Sequence, residues 1–138
     1  MTTTQQTNPN IATGYATDIA DDAFTLKIPG TDYRIRCLAS PRLPIPEGGR
    51  CSGVINAQAK RIDKITGGGA FLEPIEGRPR RAQGRVRAID KGKQTVTVNS
   101  GAAPIVCKTN SDQSADDFEI GEMVTLGIEP GATFTLNG

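Results

Sequence analysis

Ile11-Ala-Thr-Gly-Tyr-Ala-Thr-Asp-Ile19 and Arg81-Ala-Gln-Gly-Arg-Val-Arg-Ala-Ile89 are one pattern written twice, 70 residues apart. Gly14 falls on Gly84, Ala16 on Val86 and Ile19 on Ile89. The same shift carries Thr25, Leu26 and Ile28 onto Thr95, Val96 and Val98, and Ile35 and Cys37 onto Ile105 and Cys107. The offset then becomes 73, so that Gly48 meets Gly121 and the alternating Cys51, Gly53 and Ile55 meet Val124, Leu126 and Ile128. Among the apolar matches, those at 26 and 28, 35 and 37, and 51, 53 and 55 stand at every second position, which is the period of a strand with one buried face. A repeat in register fixes architecture, so the chain reads as two copies of one small β unit.

Working outward, each copy is expected to hold five short strands, because β-branched and apolar residues alternate between clusters of turn formers. They fall at about 12–19, 24–28, 33–39, 50–57 and 70–74, then at about 83–89, 95–98, 104–108, 123–128 and 133–136. Asp21-Asp22, Pro29-Gly-Thr-Asp32, Asp90-Lys-Gly-Lys93 and Asn99-Ser-Gly101 supply the turns. The single helical candidate is a turn near 114–118, where Ser114 is placed to cap and Asp117 stands three residues on. Five strands with a longer connection between the third and fourth match the OB-fold, with an SH3-like barrel as the near competitor. The expectation is all-β: a disordered polar tail at 1–10, a first barrel at 11–76, a basic connector at 77–82 and a second barrel at 83–138.

Phe118-Glu-Ile-Gly-Glu-Met-Val-Thr-Leu-Gly-Ile-Glu-Pro130 resembles the closing segment of TOBE domains, small OB-type barrels related to the molybdate-binding Mop proteins. The resemblance covers about a dozen residues. It implies barrels that assemble into oligomers and bind oxyanions at their interfaces. The Ser-Arg-Asn run of that family begins neither copy.

Chemistry is constrained by what the chain lacks. It has no histidine, and its three cysteines, Cys37, Cys51 and Cys107, form no CxxC pair. That argues against a disulfide framework and the usual zinc sites, and it removes Ser-His-Asp and Cys-His catalysis. No metal site, no cofactor and no enzymatic activity are expected. Cys37 and Cys107, at equivalent strand positions, read as small core residues. No apolar run approaches the roughly 18 residues of a membrane span, and residues 1–10 lack the basic-then-apolar order of a signal peptide. A cytoplasmic protein with no membrane partner is expected.

Charge is the feature that stands out. Residues 1–59 hold five basic and five acidic side chains, whereas residues 60–93 hold ten basic against four acidic. Residues 94–138 hold Lys108 against six acids. Part of the basic block falls at 58–69, read as a long loop between the fourth and fifth strands of the first copy and tipped by Gly67-Gly-Gly69 as a hairpin. In OB-folds that loop commonly grips oligonucleotides. Lys60, Arg61, Lys64, Arg78, Arg80, Arg81, Arg85 and Arg87 are therefore candidate phosphate contacts for single-stranded DNA or RNA, with Tyr15, Tyr33 and Phe71 as candidate stacking platforms. Two other readings stand beside this one: a small-oxyanion binder, and an assembly protein whose basic block pairs with the acidic second copy of a neighbour to form a homo-oligomer. Asp112, Asp116, Asp117 and Glu119 lack calcium-loop spacing and read as a solvated acidic turn.

Overall fold

The computed structural model describes residues 8–137. The strands are β1 (Ile11–Thr17), β2 (Ala23–Lys27), β3 (Arg34–Leu38), β4 (Arg50–Lys64), β5 (Phe71–Glu73), β6 (Glu76–Gly77), β7 (Arg81–Asp90), β8 (Thr95–Asn99), β9 (Pro104–Lys108), β10 (Met123–Ile128) and β11 (Thr133–Leu136). They form one mixed sheet. The protein is thus all-β, as its alternating pattern requires, and no helix among the described residues is long and apolar enough to cross a membrane. Residues 1–7 of the expected tail lie outside the described residues, while residues 8–10 make a turn into β1 that is tied down by a hydrogen bond between Asn10 and Thr97. The 3-10 turn Ala115–Asp117 forms where expected: Ser114 Oγ accepts from the Asp116 N–H, and the Asp117 carboxylate accepts from the Ser114 N–H.

The pairings close into two circuits. One runs β1–β2–β3–β11–β4 and back to β1. The other runs β7–β8–β9–β4–β10 and back to β7. They obey the repeat where β1 meets β4, Gly14 facing Cys51 as Gly84 faces Val124. They depart from it where β1 meets β2: Ala16 faces Leu26, whereas Val86 faces Val98, two residues beyond the Val96 that the shift of 70 assigns, next to a bulge. Each circuit borrows one strand from the other half of the sequence. β11 pairs with the first half of β4, placing Phe134 opposite Ile55. The second half of β4 pairs with β10, placing Ala59 opposite Ile128 and Ile62 opposite Leu126. Ile55 and Ile128 are equivalent under the repeat, so 59–64 takes in one circuit the place that 133–136 takes in the other.

Two expectations are corrected here. The fourth strand does not stop at 57 before a loop; it continues to Lys64, so Lys60, Arg61 and Lys64 lie on a strand. Ala57-Gln-Ala-Lys-Arg-Ile-Asp-Lys64 contains no Gly, Pro or Asn to turn the chain, whereas the second copy turns at Glu129-Pro-Gly131. Gly67-Gly-Gly69 is not a hairpin tip, because the strands on either side of it, β4 and β5, do not pair: β5 adds to β7, and the second half of β4 pairs with β10. The boundaries also move at the connector, where Arg81 and Ala82 already belong to β7.

Burial follows the alternation. Phe24, Leu26, Ile35, Ile55 and Phe134 point into the first circuit, and Val86, Val96, Val98, Ile105, Val124 and Leu126 into the second, all within one contiguous apolar cluster. Phe134 meets Phe24 edge to face, with ring centroids 5.0 Å apart and planes at 80°. The three thiols join this core, and burial pushes both Cys37 and Cys107 up to about 12 and also raises Cys51. A thiol held protonated and out of solvent does not react. Iodoacetamide at mildly alkaline pH is therefore expected to leave all three unmodified in the native protein and to alkylate all three in urea. Mass spectrometry reads the result, and rapid native labelling of Cys107 contradicts this packing.

Candidate nucleic-acid interface

The basic block does not act as one surface. The ion pairs among the described residues join Arg42 to Asp21, Arg61 to Asp63, Lys64 to Glu122 and Lys91 to Asp116. Arg61 Nε lies 2.9 Å from Asp63 Oδ1 on its own strand. Lys64 Nζ lies 3.2 Å from Glu122 Oε2 and 5.7 Å from the centroid of Phe118. Glu122 is held below the usual carboxylate range, first by the Glu119 N–H that donates to it and then by Lys64. Arg81 donates to Thr125 Oγ1 at 2.9 Å, and Arg85 donates to the Gly121 carbonyl at 2.8 Å. Arg87 stands apart, beside Asn8, Asn99 and Pro104.

Three of the candidates do converge. Lys60, Arg78 and Arg80 line one groove of about 270 Å³, closed by Pro79, Ile128 and Pro130, and none of the three takes part in an ion pair among the described residues. Local structure explains the meeting. The ladder between β4 and β10 slips between Gly127 and Ile128, which face Arg61 and Ala59, so Lys60 is the extra residue of a bulge. Such a bulge re-aims a side chain. Lys60 and Arg61 accordingly both face outward, breaking the alternation. The Lys60 stem lies across Gly127, its Cδ 3.3 Å from the point where a Cβ would stand. On the other side the Arg80 N–H donates to the Glu73 carbonyl, and the Arg80 carbonyl accepts from the Ile128 N–H, both at 2.8 Å. These bonds pin the 78–80 segment beside the end of β10.

Lys60 also borders a larger polar depression of about 620 Å³ that includes Gln58, Gln94, Lys108, Asn110, Gln113 and Glu129. Its amides are engaged in holding the fold. Gln113 accepts from the Ile62 N–H at 2.8 Å and donates to the Ile62 carbonyl at 2.7 Å, standing in for a neighbouring strand along β4. Gln58 donates to the carbonyls of Lys108 and Thr109. No group of three or more carboxylates or thiols among the described residues is placed to hold a metal ion.

The three aromatics separate as well. Tyr33 is half-buried, and its hydroxyl accepts from the Leu72 N–H at 3.3 Å, which ties β3 to β5. Phe71 is half-buried opposite Gln83. Tyr15 is the open one, 39% exposed on the outer face of β1. Its cross-strand neighbours are Lys27 on β2 and Arg50 on β4, neither of which the charge count singles out. Register is the signal that joins them, and it is not visible in a count along the chain.

Comparison with protein-family models, with curated proteins and with solved structures finds no match for this chain.

Proposed function

We propose that this protein is a non-catalytic binder of single-stranded nucleic acid that holds backbone phosphates in the groove of Lys60, Arg78 and Arg80. Its framework is a pair of OB-like barrels whose fifth strands are exchanged. The two five-membered circuits support the framework, since in each the third strand runs parallel to the borrowed fifth: Leu38 pairs with Thr133, and Lys108 with Gln58. The groove carries the functional reading, because three cations with no carboxylate partner among the described residues meet at one concave place. Arginine suits a phosphate because its planar fork holds two oxygens at once. The absence of histidine and the high thiol pKa values support a binding role over catalysis.

The test is the salt dependence of binding to a labelled oligothymidylate. Each phosphate contact on a single strand contributes about 0.7 to the slope of log K against log salt. Changing Lys60, Arg78 and Arg80 together to Ala is expected to flatten that slope by about 2 and to weaken binding at low salt. Arg61→Ala, which removes a cation already paired, is expected to change the slope little. A slope untouched by the triple change overturns the groove reading.

The convergence of three cations favours one second reading, a single tetrahedral oxyanion held by the same three side chains. A melting temperature that rises with molybdate, tungstate or sulfate, and no longer does so in the triple variant, selects it.

A further inference from the structure

The outer face of the first circuit carries a row of charge that no single segment reveals. Arg34 pairs with Lys27, Lys27 with Tyr15, and Tyr15 with Arg50. Cross-strand partners point to the same side of a sheet, so these four side chains stand side by side on β3, β2, β1 and β4. All four are exposed. Neighbouring strands lie about 4.8 Å apart, which makes the row about 14 Å long. None of its three cations belongs to an ion pair among the described residues. The nearest acid along the row is Glu76, opposite Arg34 on the added strand β6 and at the far end from Tyr15.

The row costs the fold stability. Like charges placed directly opposite each other repel, and Lys27 and Arg34 are so placed. The rows on either side are built differently. On one side Arg36 is tied to the Asp18 carbonyl and to Thr25 Oγ1, and on the other Thr13 and Ser52 share a hydrogen bond. The corresponding row of the second circuit reads Pro104, Asn99, Arg85 and Met123, with one cation, itself bonded to the Gly121 carbonyl. The duplicated scaffold therefore does not require the row.

We propose that Arg34, Lys27, Tyr15 and Arg50 form a second contact surface for single-stranded nucleic acid, separate from the groove, on which a base stacks against Tyr15 while flanking phosphates meet the cations. An exposed aromatic ring set between cations matches the alternation of base and phosphate along a strand. An acidic protein would engage the cations and leave the ring unused. The proposal stands whether or not the groove binds nucleic acid.

The experiment uses the full chain carrying Lys60→Ala, Arg78→Ala and Arg80→Ala, so that groove and row are read separately. Fluorescence anisotropy with a short fluorescein-labelled oligothymidylate is expected to show residual binding. Tyr15→Leu should weaken it by about 5- to 100-fold, while Tyr15→Phe, which keeps the ring, should preserve it. Lys27→Ala with Arg50→Ala should lower the salt slope by about 1.4, two contacts at about 0.7 each. In the unsubstituted chain, an oligonucleotide carrying 5-iodouracil should cross-link to the peptide that contains Tyr15, a readout that does not depend on any variant folding. Tyr15→Leu binding as tightly as Tyr15→Phe, no residual binding at all, or cross-links found only elsewhere would overturn the proposal. So would displacement by polyglutamate with an affinity that ignores Tyr15, which would point to an acidic protein instead.

Discussion

Phe134→Ala is expected to destabilise the protein by about 3–5 kcal/mol and to lower its melting temperature by roughly 10–20 °C, in a single transition. Phe134 stands near the end of the sequence, yet its ring is buried in the circuit built by the first half, edge to face with Phe24 and over Gly53. A Cβ at Gly53 would come within 2.4 Å of the Phe134 ring, so the glycine makes the seat that the ring fills. Truncation empties that seat and removes the anchor of a borrowed strand. Because β4 serves both circuits, neither half has a complete set of pairings without the other. Scanning calorimetry checks both parts of the expectation. Two separate transitions in the variant, one at the parent temperature, would contradict a shared framework. A loss below about 1 kcal/mol would contradict the packing.

Gly84→Ala is expected to be strongly destabilising as well. A Cβ built at Gly84 stands 1.9 Å from the Asn99 carbonyl oxygen and 2.8 Å from the carbonyl carbon. Both are backbone atoms of the paired strand, so no side-chain rotation relieves the clash. Gly14 repeats the arrangement, 2.4 Å from the Lys27 carbonyl oxygen. A glycine within a strand often marks a bend or a close backbone approach. Here it lets two strands close tightly at equivalent corners. Overpacking typically costs about 1–3 kcal/mol and occasionally more, and a clash with backbone rather than side chain belongs at the upper end. The expected outcome for Gly84→Ala is a large fall in the urea midpoint or insoluble expression. Gly67→Ala, where nothing lies within 4 Å, should leave the midpoint nearly unchanged. Gly14→Ala bears on the proposed contact surface as well, because the clash falls at the backbone of Lys27, which stands beside Tyr15 in the cationic row.

The candidate site was only partly legible beforehand. Lys60, Arg78 and Arg80 were singled out by their local excess of charge and do meet, although by way of a bulge in a strand where a loop was expected. Arg61 and Lys64 belonged to the same excess and are neutralised by Asp63 and Glu122. Lys27, Arg34 and Arg50 lie in a stretch whose charges balance. Two of the acids in that stretch are held elsewhere: Asp21 faces Arg42, and Glu47 accepts from the Asp18 and Ile19 N–H groups. Net charge along a segment says nothing about which face of a sheet each charge occupies.

The sequence by itself determined that this is an all-β chain, where most of its strands lie, that Ser114 caps a turn and that Cys37 and Cys107 are core, because alternation and turn chemistry act between near neighbours. Only the tertiary structure decided that 59–64 and 133–136 change places, and which cations stand together. A strand offers the same row of N–H and C=O groups to any partner, so its choice is made by distant residues such as Phe24 and Leu126 that bury the borrowed side chains. The cationic row arises separately, from the registers of β2 with β3 and of β1 with β2 and β4.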